Sequence, residues 1–182
     1  MLDWFSNASI VAIVVAIWLV MYVVIVGAIY ISRTVILNRW LKKEQNSIDL
    51  MLSSDTTLPS EESSLYPCAV RGVNGSFLKA CYDSSVKEST EYLTPLSAIA
   101  STAPFVGLFG TVVGVLQAFA GFKDGVTLSI VAPAISEALV VTAMGIVVAI
   151  PAYWAHLLLK RKAYEVANAL KVQTDLLLAQ SR

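Results

Sequence analysis

The stretch Leu128–Leu159 reads LSIVAPAISEALVVTAMGIVVAIPAYWAHLLL, a long apolar run with one carboxylic acid inside it. From Ile130 to Pro151 it contains no Lys, Arg, Asp or His and a single Glu, Glu137. A helix needs roughly 20 residues to cross a hydrocarbon core of about 30 Å, so this run is long enough to span a bilayer. An ionisable side chain at that depth costs about 3 kcal/mol on insertion scales. Glu137 lies on the order of 12 Å along the helix axis from the start of the run, too deep for so short a side chain to reach the surface. A residue kept there at such a cost faces a bundle interior or an aqueous path. The plainer alternative is a polar contact between helices.

The rest of the chain places this run in a membrane protein. Of the 182 residues, 57% are hydrophobic, more than a soluble domain needs, and mean hydropathy is +0.70. The excess lies in three blocks. The first, about Ala8 to Ile31, carries no charge. It is too long for the apolar part of a secretory signal and is preceded by Asp3 rather than by a basic residue. Trp4 and Tyr30 are candidate interface anchors at its two ends. The second block, Pro95 to Phe122, reads PLSAIASTAPFVGLFGTVVGVLQAFAGF. The third is the run containing Glu137.

Between the first two blocks lies a polar segment of about 60 residues that opens with Arg33, Arg39, Lys42 and Lys43. Lys160, Arg161 and Lys162 follow the third block. Basic clusters after the first and third spans place both on the cytoplasmic side, with the N-terminus outside. The expected layout is all-α: residues 1–32 hold the N-terminal end and span one, and 33–94 form a cytoplasmic helical hairpin. Residues 95–127 hold span two and a short outer turn, 128–159 span three, and 160–182 an amphipathic cytoplasmic helix.

Within the hairpin, apolar residues recur at helical spacing over Arg33–Leu52 and again over Val70–Tyr92. Ser53–Pro67 reads as a turn or flexible linker. Where span two begins, Thr94 could cap a new helix with Pro95 in its first turn, or the preceding helix could continue through a kink. Cys68 and Cys81, the two cysteines, lack a CxxC spacing or a neighbouring His and read as reduced cytoplasmic thiols rather than ligands or a bridge. His156, the single histidine, has no companions for a metal site and reads as an interfacial residue.

Small residues mark the packing faces. In the second block Ala100, Ala103, Gly107, Thr111, Gly114 and Ala118 recur at spacings of three and four, and Gly110 and Gly114 form a GxxxG. In the third, Ala134, Ala138, Thr142, Gly145, Ala149 and Ala152 lie within roughly an 80° arc, with Glu137 about 60° outside one edge. Such faces let backbones approach closely in lipid, so Gly107, Gly110, Gly114, Ala138 and Gly145 are candidates for helix packing and for assembly of a ring. Thr111 adds a hydroxyl to the stripe; an ordinary bond to its own helix one turn back is the alternative to an interhelical role.

Two segments, APFVGLFGTVVGV (Ala103–Val115) and ISEALVVTAMGIVVAIPA (Ile135–Ala152), resemble the signature segments of the TolQ/ExbB/MotA proton-channel family, and most closely its three-span TolQ and ExbB branch. The segments occur in the right order, separated by a short turn and preceded by a span. The specific likeness covers about 50 residues; the remainder agrees in layout.

The resemblance implies a bacterial inner-membrane subunit that forms a homopentamer around a single-span dimer of the TolR or ExbD type. Such a complex uses the proton motive force to act on a TolA- or TonB-like protein. It also implies that Glu137, Thr111 and Thr142 border the proton path, with protons as the transported ion and no other cofactor. The short polar segment and the lack of an extended N-terminal region favour TolQ or a compact ExbB. Three spans disfavour the four-span flagellar branch.

Glu137 and Thr142 are five residues apart and diverge by about 140° on one helix; in a ring, span three can present Glu137 to the pore side and Thr142 to a neighbouring helix, near Thr111. Basic residues are few and scattered, which argues against nucleic-acid binding. No nucleophile–base pair, metal cluster or phosphate loop points to an enzyme; Ser129 and His156, near opposite ends of span three, make an intramembrane hydrolase a distant reading. A non-conducting membrane scaffold is the competing function.

Overall fold

The computed structural model describes residues 10–53, 58–72, 75–120 and 128–180. Among the described residues the chain forms five helices and no strand: α1 (Ile10–Ser53), α2 (Tyr66–Val70), α3 (Gly75–Ser89), α4 (Leu93–Ala120) and α5 (Leu128–Gln180). Helices α1, α4 and α5 are each long and apolar enough to cross a membrane. No proline interrupts α1, so the apolar block and the basic segment after it form one helix of 44 residues. The connection Lys123–Thr127 and the anchor Trp4 lie outside the described residues.

The hairpin departs from the pattern of apolar residues. A single helix over Val70–Tyr92 does not form. α2 ends at Val70, Gly72 has φ +118°, a conformation that side chains disfavour, and α3 starts only at Gly75. Nor does α3 run on into α4. The two are separated at Thr90–Tyr92, where Tyr92 takes φ 68°. That decides against the kinked continuation, and Pro95 falls in the first turn of α4, where its missing N–H has no partner to lose.

The chain divides into two compact units. One comprises the described residues up to Ile29 together with Thr94–His156. Its core is small: Ala12, Val15 and Leu19 of α1 meet Ala103 of α4 and Val141, Val148 and Ala149 of α5. Its large apolar side chains point outward, among them Ile17 and Val24 of α1, Phe105 and Phe109 of α4, and Val147 and Ile150 of α5. A water-soluble bundle has the reverse arrangement; this one suits lipid.

The other unit comprises Tyr30–Leu93 and the chain from Leu157 onward. One part of its interior is apolar, with Met51, Ala69, Leu78 and Leu177. Another part is polar and buried. The fully buried carboxyl group of Glu44 accepts hydrogen bonds from Trp40 Nε1 (2.9 Å), from the backbone N–H (3.0 Å) and hydroxyl (2.8 Å) of Ser64, and from Gln173 Nε2 (2.8 Å). The Ser63 hydroxyl stands 2.8 Å both from Glu44 and from Gln173 Oε1. Ser60 N–H donates to Ser47 Oγ. The described part of the expected linker is therefore fastened to α1 and α5 rather than flexible.

Arg33, also buried, donates to the Glu88 carbonyl at 2.7 Å and lies 5.1 Å from the centroid of the Tyr92 ring.

The cysteines correct the sequence reading. Cys68 of α2 and Cys81 of α3 form a disulfide, with Cα atoms 6.6 Å apart. Spacing and compartment argued for free thiols. The break at Gly72 folds α2 back beside α3, and that fold brings together two residues whose separation in sequence carried no sign of pairing.

Candidate functional site

The site lies where α4 crosses α5, and its geometry starts from two glycines. A Cβ on Gly145 would stand 2.7 Å from the Ala103 carbonyl oxygen, and one on Gly107 would stand 3.0 Å from the Val141 carbonyl oxygen. Only hydrogen fits between these backbones. Further along, Gly110 faces the Val141 side chain and Gly114 faces Ala138. Gly107 lies against Gly145 and Gly114 against Ala138, so α4 and α5 run antiparallel. The small residues predicted to pack helices thus meet within a single chain.

This close approach brings Thr111 and Thr142 together. Thr111 Oγ1 donates to the Ala138 carbonyl (3.0 Å) of α5, and Thr142 Oγ1 reaches the Gly107 carbonyl (3.1 Å) of α4. Each hydroxyl reaches the carbonyl one turn before the other threonine. The bond from Thr111 back to its own Gly107 is long, at 3.5 Å, so the interhelical role prevails. The two hydroxyls also contact each other. Each carries a single proton. With Thr111 donating to Ala138, Thr142 can donate to Gly107 or to Thr111, but not to both. The pair can switch donors without moving either helix.

Thr142 thus lies near Thr111 on a neighbouring helix, and that helix belongs to the same chain. The expectation that Glu137 and Thr142 cannot share one point agrees with the geometry, which sets them at two levels. Half-buried Glu137 faces a cavity of about 240 Å³ lined by Gly110, Gly114 and Ala118 of α4 and by Ala134 and Ala138 of α5. Ala12 of α1 forms another side. Among the described residues, no donor or cation contacts the Glu137 carboxyl group.

The other polar side chain lining the cavity is Gln117 of α4. The spacing of small residues does not single it out, since Gly114 and Ala118 stand on either side of it. A signal was present: Gln117 follows Gly110 and Gly114 at spacings of seven and three, which puts it on the face they share. The side chain of Ser129 lies outside the described residues.

The chain is similar in sequence to known membrane transport proteins. The profile of the MotA/TolQ/ExbB proton channel family matches residues 68–171, a stretch that includes α3, α4 and most of α5. An ExbB-like protein of Helicobacter pylori is 34% identical over 185 aligned residues, covering 96% of this chain and 94% of its own. The Tol-Pal system protein TolQ of Haemophilus influenzae is 33% identical, covering 85% of this chain and 82% of its own. The biopolymer transport protein ExbB of Salmonella typhimurium is 43% identical over 90 residues, 48% of this chain and 37% of its own. With a family profile matched over more than half its length and a relative aligned almost end to end, this chain, three membrane-spanning-capable helices around a threonine pair and one acid, belongs to the MotA/TolQ/ExbB proton channel family.

Proposed function

We propose that this chain is the proton-conducting subunit of an inner-membrane motor of the TolQ–TolR or ExbB–ExbD type. The single observation that carries the reading is the polar track inside α4 and α5: the Thr111–Thr142 pair, and beside it Glu137 facing a cavity, in spans otherwise free of charge. Small residues bring the helices close enough for hydroxyls to exchange donors. Glu137 can take up and release a proton, which no other side chain at that depth can do.

The exposed apolar faces of all three long helices are then free to meet lipid and further copies, five in the full ring. The ring encloses a single-span dimer of the TolR or ExbD type and drives a TolA- or TonB-like protein. The basic clusters after α1's apolar half and after the third span put the N-terminus in the periplasm and the C-terminus in the cytoplasm.

The test is Glu137→Gln, which keeps size and most hydrogen bonding but cannot titrate. Work that depends on the proton motive force should be lost, while a pull-down recovers the intact complex. A variant that works as well as the wild type would sink the reading and leave a scaffold whose acid is a contact residue.

A further inference from the structure

The cavity beside Glu137 has features that the proton-path reading does not use. About 240 Å³ is room for several water molecules, each of which occupies about 30 Å³ in the liquid. The cavity exists because the residues around it are small, and it has one polar side chain from each helix: Gln117 from α4 and Glu137 from α5.

The position along the helices matters as much. Gln117 lies six residues beyond Thr111, about 9 Å along α4. Glu137 lies five residues before Thr142, about 7.5 Å along α5. Because the helices are antiparallel, both displacements run the same way, toward residues 121–127. The polar groups therefore form two levels, the hydroxyl pair and then, on the side of that connection, the acid with the amide. The hydroxyls sit where backbones are too close for water. The acid and the amide sit where the small side chains leave room for it.

An amide carries both donors and an acceptor. It can donate to a water or accept from it whichever proton state Glu137 is in, and it cannot trap a proton itself. We propose that Gln117 is a positioning residue of the proton path: its amide holds water in this cavity against the Glu137 carboxyl group, supplying protons to that acid from the side of the 121–127 connection. The inference rests on the proposed proton-conducting function.

The experiment uses the complex purified from the bacterium through a tag on this chain, reconstituted in vesicles with a pH-sensitive dye, with Glu137→Gln run alongside. Gln117→Leu removes the hydrogen-bonding groups at similar bulk. It should slow proton flux about tenfold, the effect of one lost polar contact to a buried group. The complex should still assemble, and Gln117→Asn should restore flux to near the wild-type rate. A purely structural role for Gln117 would not be rescued in this way.

If Gln117→Leu conducts normally while Glu137→Gln does not, the inference is overturned and the proton-path reading stands. If Glu137→Gln also conducts normally, the proton-path reading falls and the inference falls with it. Should Gln117→Leu fail to assemble, Gln117→Met replaces it: slowed flux with Met and near-normal flux with Asn supports the positioning role, and normal flux with Met overturns it.

Discussion

Glu44 and Glu137 are both acids away from open water, and their surroundings set them to different work. Glu44 is saturated with donors from α1, from the segment before α2 and from α5. It ties three parts of the chain together and has no room to move. Replacing it with Gln keeps an acceptor for the Trp40 indole and the Ser64 backbone N–H only by turning the new amide N–H toward Gln173 Nε2, a donor that the Glu44 carbonyl holds in place. Leaving one such buried donor unpaired costs about 1–3 kcal/mol. Glu44→Gln should therefore lower the thermal midpoint of the detergent-solubilised protein by about 5 °C. Glu62→Gln, which loses only an exposed 3.7 Å ion pair with Lys43, should leave it unchanged. Equal midpoints for the two variants would remove Glu44 from its structural role. None of this was legible in the sequence. Glu44 looks there like one more polar residue on an amphipathic helix, and Gln173 is 129 residues away. Glu137 was legible, because an acid in an uncharged span stands out without any partner being known.

At the scale of elements, the spans were plain from hydropathy and the packing faces from the spacing of small residues. What periodicity cannot supply is the partner of a face. The glycine stripe fits another subunit as well as it fits the next helix, and only the fold puts Gly107 against Gly145. This changes what a glycine substitution tests. Gly145→Ala places a methyl 2.7 Å from a backbone carbonyl oxygen that cannot give way unless α4 and α5 separate. The folded chain itself should suffer, not only its assembly. Gly27, in α1, has nothing within 4 Å of its added Cβ and should accept Ala, the better helix former. The expected outcome is a sharp loss of folded protein for Gly145→Ala, by fluorescence-detected gel filtration, and none for Gly27→Ala. Two identical profiles would mean that α4 and α5 do not pack through these glycines. The break between α2 and α3 was the least legible element. The apolar spacing over Val70–Tyr92 spans Gly72 and Gly75, and spacing alone does not show that the chain turns there.

At the scale of the whole molecule, the two units hold themselves together by different chemistry, and so should yield to different insults. The unit of spans has small side chains, close backbones and hydroxyl-to-carbonyl bonds, and no cysteine. The other unit has a buried polar knot and a covalent bridge between α2 and α3. The bridge joins residues 13 apart in sequence, and closing a loop of that length stabilises by about 3 kcal/mol in the chain-entropy account. Both sulfur-bearing residues are half-buried, so a small thiol can reach them. Reduction should release α2 from α3 and leave α4 as it was. Hydrogen exchange read by mass spectrometry, with and without a dithiol reductant, can follow each element separately. Amides in Tyr66–Val70 and Gly75–Ser89 should exchange about 100-fold faster once the bridge opens, as a stabilisation near 3 kcal/mol requires, while those in Pro104–Leu116 keep their rate. Unchanged exchange in α2 and α3 would show that the apolar contacts of Met51, Ala69, Leu78 and Leu177 hold that unit without the bridge. Faster exchange in α4 as well would show that the spans depend on it.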